Sequence, residues 1–139
     1  MRGAKLGLMA DIQRLIKDGL STDGQILNLR AKFIREVGAK ELARCEELSK
    51  VRSMDLSQND IGDEGAKAIA ESPIFSNLRS INLRSNHIGD DGARALANST
   101  TLVNLRSLQL VVNDISEEGE RALMNSVHLV NLTSLRFRV

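Results

Sequence analysis

A repeat of 27 residues is the feature that most constrains the fold of this chain. The segment 78–97 has a counterpart 27 positions earlier and another 27 positions later, and Asn59, Asn86 and Asn113 occupy the same place in the three copies. Self-similarity at a fixed period is the signature of stacked structural repeats. The chain is therefore predicted to bury its apolar residues by stacking successive copies against one another.

Each copy is predicted to contain one strand followed by one helix. Apolar and polar residues alternate over 54–56, 81–83, 108–110 and 135–137, which is the period of a half-buried strand. Helix-forming and small residues follow over 65–70, 92–97 and 119–124. Full copies begin at residues 51, 78 and 105, and a partial copy begins at 132. A degenerate first copy occupies 24–50, with Lys32 in place of the asparagine.

The first residues are predicted to form a helix that covers one end of the solenoid. Leu6, Met9, Ile12 and Ile16 lie on one face at helical spacing from Lys5 to Asp18, and Gly19 suits a left-handed helix stop. We therefore expect one domain, with a capping helix in residues 1–23 and a solenoid of about four repeats plus a final strand in 24–139.

Composition excludes several classes of function. Lys and Arg total 19 against 18 Asp and Glu, so the chain lacks the basic excess of a general nucleic-acid binder. Cys45 is the only cysteine, which fits a reducing compartment, and no apolar run has the length of a secretory signal or membrane span. We expect a cytoplasmic protein without membrane attachment.

No residue set in the repeats has the pattern of a catalytic or metal site. The asparagine column is predicted to satisfy backbone groups of neighbouring repeats. The acidic pairs at 63–64, 90–91 and 117–118 precede predicted helices, where negative charge suits the helix dipole. His87 and His128 have no histidine at the equivalent positions of other copies, and Cys45 occupies a serine column. We predict a protein that is not an enzyme and has no cofactor or metal.

The repeat resembles the leucine-rich repeat of the ribonuclease-inhibitor type, over residues 24–139. The resemblance is carried by Leu78, Ile81, Leu83, Asn86, Ile88, Gly92, Leu96 and Ala97. It implies an α/β horseshoe with a parallel β-sheet on the concave face, helices on the convex face, and protein recognition by the concave surface. The chain departs from ribonuclease inhibitor in its single cysteine, its lack of Trp and Tyr, its uniform spacing and its few repeats.

The residues that the repeat leaves variable are the predicted binding surface. Side chains that flank the core leucines are expected on the concave side, because successive strand residues point to opposite faces. Val111 and Val112 form an apolar spot there, or one of them packs under the turn. The predicted partner-binding residues are Arg52, Asp55, Arg79, Asn82, Arg84, Arg106, Gln109, Val111, Arg136 and Arg138.

The function predicted from these features is docking of the Arg-rich face on an acidic surface of a partner protein. By resemblance to ribonuclease inhibitor, that partner would be an enzyme whose active site is covered. The alternatives are a small-GTPase regulator, because Ran GTPase-activating proteins have a similar repeat, and an anion or nucleic-acid binder, which the scarcity of aromatic residues disfavours. The final strand, with no helix after it, offers a route to self-association. Small repeat proteins of this type also serve intracellular bacteria as effectors, in which case the cytosol would be a host's.

Overall fold

Five parallel strands form one sheet in chain order in a computed structural model that describes residues 11–139. Each strand residue pairs with the residue 27 positions further on, so Leu27, Met54, Ile81, Leu108 and Leu135 lie side by side. The predicted α/β solenoid and its strand positions are confirmed. The strands are β1 (Ile26–Asn28), β2 (Ser53–Asp55), β3 (Ser80–Asn82), β4 (Ser107–Gln109) and β5 (Ser134–Arg136).

The helices alternate with the strands, and the four that follow β1 to β4 pack in sequence order. Short 3₁₀ turns at Glu46–Leu48 and Pro73–Asn77 lead into β2 and β3. Within residues 11–139, none of the helices has the length and apolarity that a membrane crossing requires. The helices are α1 (Ile12–Gly19), α2 (Arg35–Leu42), α3 (Gly62–Glu71), α4 (Asp90–Ala97) and α5 (Glu117–Met124).

One apolar cluster runs through the stack from Ile12 to Leu129. Met54 and Ile81 from the strands, and Ile69 and Leu96 from the helices, are all buried within it. The degenerate first copy belongs to the same cluster, since Leu27 and Leu42 are fully buried. Stacking therefore supplies the burial that no single repeat could achieve.

The asparagine column has the structural role predicted for it. Asn86 is fully buried; its Oδ1 accepts from the backbone N–H groups of Asn59 and Ile61, at 3.1 and 3.3 Å. Its Nδ2 donates to the carbonyl oxygens of Leu56 and Arg84. Asn59 and Asn113 make equivalent bonds to the repeats before them. The column thus joins each repeat to the preceding one by side-chain hydrogen bonds.

The acidic residues before the helices bind the following repeat as well as complementing their own helix. Asp63 Oδ1 accepts from the backbone N–H groups of Gly89 and Gly92, at 2.7 and 3.0 Å, at the start of α4. Asp90 accepts from the backbone and hydroxyl of Ser116 at the start of α5. The hydrogen bonds from Ser116 lower the pKa of Asp90. These carboxylates therefore cap the next helix in the stack.

Two expectations at the N-terminal end are wrong. Asp11 has an extended backbone and caps α1 by accepting from the Arg14 N–H, so α1 begins at Ile12 and the predicted helix from Lys5 to Asp18 does not run through residue 11. The predicted part at 5–10 lies outside the described residues. Gly19 is the last residue of α1 and has no left-handed backbone; a Cβ there would collide with the carbonyl oxygen of Asn28. Glycine is needed because α1 passes directly over β1.

Candidate binding surfaces

A column of three arginines precedes the strands. Arg52, Arg79 and Arg106 each lie one residue before β2, β3 and β4, and all three are exposed. The Arg79 N–H donates to the Arg52 carbonyl at 2.8 Å, and the Arg106 N–H donates to the Arg79 carbonyl at 2.7 Å. Their backbones are therefore about 4.8 Å apart, the spacing of neighbouring strands.

A second column, of asparagines, lies beside the arginines. Asn77, Asn104 and Asn131 are exposed, and each Nδ2 donates to a backbone carbonyl of the preceding repeat, at 2.9, 2.8 and 2.7 Å. These bonds fix the amide groups, and within residues 11–139 no donor is bonded to the three Oδ1 atoms. The sequence predictions missed this column, although its signal, an asparagine every 27 residues and two before Arg79 and Arg106, is visible in the chain.

The two columns enclose a polar groove of about 320 Å³, which we call the rim groove. It lies at the starts of the strands, and arginine and asparagine side chains from successive repeats line it. The rim groove is lined by Arg52, Arg79, Arg106, Asn77, Asn104 and Asn131.

The arginines of the rim groove form no ion pair within residues 11–139. In the part of the chain from 11 to 139, none of them has a carboxylate oxygen within 4.0 Å, whereas Arg94 on α4 pairs with Asp91 at 2.7 Å. The pKa of Asp23 is lowered mainly by the hydrogen bond from the Ser21 hydroxyl, and Arg52 contributes to the same shift from a distance. Within residues 11–139 the rim groove is therefore a positive site without a directly paired carboxylate, and Asp23 acts on Arg52 only from beyond 4.0 Å.

Asp55, Asn82 and Gln109 end the strands β2, β3 and β4 and are half-buried. Each side-chain oxygen accepts from the backbone N–H two residues further on, at 2.9, 3.0 and 3.1 Å. Asp55 also accepts from the Ser57 hydroxyl at 2.6 Å. These predicted binding residues therefore also shape the turns that leave the strands.

The structure decides between the two alternatives for Val111 and Val112, and the prediction of Val111 as a partner-binding residue is wrong. Val111 is only 3% exposed, so it is not available as a contact residue, and it is the member of the pair that packs under the turn. Val112 is 56% exposed and has a left-handed backbone, with φ of 58°. The left-handed conformation rotates Val112 outward. The exposed apolar residue of this repeat is therefore Val112.

The other predicted arginines differ in their pairing. Arg84 and Arg136 are exposed, and neither has an ion-pair partner among residues 11–139. Arg138 pairs with Glu120 of α5 at 2.9 Å, which reduces the charge that it offers to a ligand. The predicted site is thus divided into the rim groove and a concave surface, which we define as Asp55, Asn82, Arg84, Gln109 and Arg136.

Metal-binding and nucleophilic side chains are dispersed over residues 11–139. No group of three or more His, Cys, Asp or Glu side chains in residues 11–139 is placed to hold a metal ion. His87 pairs with Asp60 at 2.9 Å on an exposed turn. Burial raises the pKa of the Cys45 thiol, and the carboxylates of Glu47 and Glu41 add to the shift. A thiol that resists ionisation is a poor nucleophile.

Comparison with known proteins agrees with this architecture. Residues 47–70 and 76–97 match the family model described as Leucine Rich repeat. These segments contain two of the strand–helix units that stack on the single parallel sheet. The chain has the leucine-rich repeat fold. A comparison with curated proteins returns no match.

Two solved structures share this leucine-rich repeat fold over most of the chain. The tropomodulin C-terminal domain of Caenorhabditis elegans is 20% identical, with a TM-score of 0.65, over 92% of this chain and 80% of that one. Leiomodin-1 Actin-Binding Site 2 is also 20% identical, with a TM-score of 0.63, over 92% of this chain and 77% of that one. At this identity the similarity concerns the fold.

Proposed function

We propose that this chain is a non-enzymatic protein-binding module that docks on an acidic surface of a partner protein. The observation that carries the proposal is the set of exposed arginines at the strands of one sheet, none of which has a carboxylate partner within the described chain: Arg52, Arg79, Arg84, Arg106 and Arg136. Guanidinium groups are suited to bidentate pairing with carboxylates, and an acidic partner would supply the missing counter-charges.

The scaffold favours binding because its surface is organised before the partner arrives. Strand ladders, the buried asparagine column and the carboxylate caps all join one repeat to the next. A surface held in this way loses little conformational entropy on association, so more of the contact energy remains as affinity. The same rigidity suits an inhibitor that covers an enzyme's active site, since steric blocking requires no catalytic residue.

Actin is a specific partner to be tested. This chain shares its fold with Leiomodin-1 Actin-Binding Site 2, which motivates the choice. Its exposed arginines form a positive surface that an acidic surface of actin would complement. Co-sedimentation with filaments and native electrophoresis with monomeric actin would measure binding. Equal recovery of the wild type and the Arg79→Glu/Arg106→Glu variant with actin would exclude specific binding through this surface.

A pull-down from an extract of the source organism tests the general proposal. The bait proteins are the wild type, the Arg79→Glu/Arg106→Glu variant, and a Lys67→Glu/Arg121→Glu control. The control makes the same change of net charge on the exposed faces of α3 and α5. We expect the arginine variant to lose a partner that the control retains, with both variants melting near the wild type. A partner retained by all three baits would show that this surface is not used.

A further inference from the structure

We propose that the rim groove binds one acidic helix of the partner, with carboxylates at positions i, i+4 and i+7 paired to the three arginines. This inference rests on the proposed function, because it names the segment that an acidic partner would present. It concerns Arg52, Arg79 and Arg106, and it assigns no role to the arginines of the concave surface.

The spacing of the arginines matches a helix that lies across the strands. Arg52 and Arg106 are separated by two strand spacings, or about 9.5 Å along the column. Carboxylates at i and i+7 are separated by about 10.5 Å along a helix axis, with the i+4 residue between them on the same face. In an extended peptide, three side chains on one face span about 13 Å. This is longer than the column from Arg52 to Arg106, so the third side chain would lie beyond the last arginine.

The asparagines of the rim groove distinguish a peptide from a simple polyanion. Asn77, Asn104 and Asn131 each use one amide hydrogen on a backbone carbonyl, so each amide group still offers one hydrogen to donate and an Oδ1 atom to accept. A helix can satisfy the arginines and these amide groups together, because its carboxylates can be flanked by Gln, Asn or Lys side chains that donate to the Oδ1 atoms. A ligand with only anionic oxygens pairs with the arginines and the remaining amide hydrogens but leaves the three Oδ1 atoms without a donor.

Nucleic acid fits the rim groove poorly for an additional reason. Stacking on aromatic side chains supplies much of the affinity for single strands, and this chain has no Trp or Tyr and three Phe. Of those three, Phe75 is fully buried, and neither Phe33 nor Phe137 lines the rim groove. The groove therefore offers charge and hydrogen bonds without a stacking platform.

The test uses designed peptides of about 16 residues, the length at which an isolated Ala-rich helix becomes stable. One peptide carries Glu at i, i+4 and i+7 with Gln beside them. A matched peptide has the same composition, with its Glu residues five apart so that they lie on different faces. A short oligothymidylate is the third probe. Binding is followed in the full chain by the NMR signals of the arginine Nε–H groups and the Asn77, Asn104 and Asn131 side-chain amides.

We expect the aligned peptide to bind at least tenfold more tightly than the matched peptide, because the matched peptide loses more than one charge-assisted pair and a single pair accounts for about tenfold. Arg79→Gln should reduce that affinity about tenfold, while Lys67→Gln on α3 should leave it unchanged. Equal affinity for the two peptides would overturn the proposal. So would tighter binding of oligothymidylate at about 0.15 M salt, where phosphate-driven binding is already weakened.

The same variants separate this inference from the proposed function. If the peptides bind alike but Arg79→Glu/Arg106→Glu still loses its protein partner, the helix assignment is wrong and the protein-binding function stands. If the aligned peptide binds in the rim groove but that variant loses no partner from the extract, the groove assignment stands and the proposed function fails.

Discussion

Replacing Asn86 by Ala should destabilise the protein more than any exposed Asn→Ala change. Asn86 is fully buried, and its side chain takes part in four hydrogen bonds with backbone groups. The four hydrogen bonds do not contribute equally to the loss of stability. The Leu56 carbonyl also accepts from Asn59 Nδ2, and the Arg84 carbonyl also accepts from the Gln58 N–H, so both acceptors keep a partner.

The cost therefore falls on two backbone donors, the N–H groups of Asn59 and Ile61, which lose their acceptor. An unsatisfied buried donor costs about 1–3 kcal/mol, so the loss of the acceptor for two donors in Asn86→Ala should cost about 2–6 kcal/mol. A domain of this size is stable by roughly 5–15 kcal/mol, so the variant loses a large part of its stability.

Urea unfolding followed by far-ultraviolet circular dichroism measures this loss, since the chain has no Trp or Tyr for fluorescence. The control is Asn104→Ala, which removes one exposed hydrogen bond to the Ser76 carbonyl and should cost about 1 kcal/mol or less. If the two variants unfold at the same urea concentration, the buried column does not join the repeats as described.

The sequence predicted those parts of the fold that every copy repeats. Ile81, Leu83 and Asn86 have counterparts in each full copy, so the strand period and the buried amide could be identified from comparison alone. The sequence predicts that the Asp63 carboxylate complements its own helix, yet in the structure it also binds the start of α4, because stacking brings residues 26 positions apart into contact. Distance along the sequence does not show whether a side chain contacts the preceding repeat or the following one.

The placement of the arginines shows a second limit. Alternation defines side-chain direction only within the strand, and Arg79 precedes β3 by one residue. Its partners in the rim groove, the asparagines at 77, 104 and 131, recur at the repeat period but were not recognised as a column. For Val111 and Val112, the deciding property was the left-handed backbone at 112, which composition does not reveal.

Three further changes test local features of the fold. Val112→Asn should stabilise the protein by about 1 kcal/mol in urea unfolding, because a β-branched residue is strained at φ of 58° and Asn adopts this backbone conformation more easily. An unchanged urea midpoint would show that Val112 is not strained. Gly65→Ala should destabilise by about 1–3 kcal/mol despite the better helix propensity, because the new Cβ would meet Ile61 and lie 3.2 Å from the Ala39 Cβ. Burial raises the pKa of the Cys45 thiol in the folded protein, so the thiol of the unfolded chain ionises at lower pH. The free energy of unfolding should therefore fall as pH rises above about 8.5, and Cys45→Ser should remove that part of the decline.

Arg79→Gln should leave the fold intact or make it more stable, while it weakens partner binding. Arg79 lies between Arg52 and Arg106, and in residues 11–139 no carboxylate oxygen lies within 4.0 Å of any of the three guanidinium groups. Two unit charges about 5 Å apart in water repel by about 0.8 kcal/mol, and physiological salt reduces this by about half. Removing the central charge relieves two such repulsions, so a gain of about 1 kcal/mol or less is expected in urea unfolding, shrinking as salt is added. A loss of stability would instead show that the arginine column supports the fold. Folding alone would then explain why the chain carries these arginines, and they would no longer indicate a binding surface. Only exposed charges that reduce the stability of the fold call for a functional explanation.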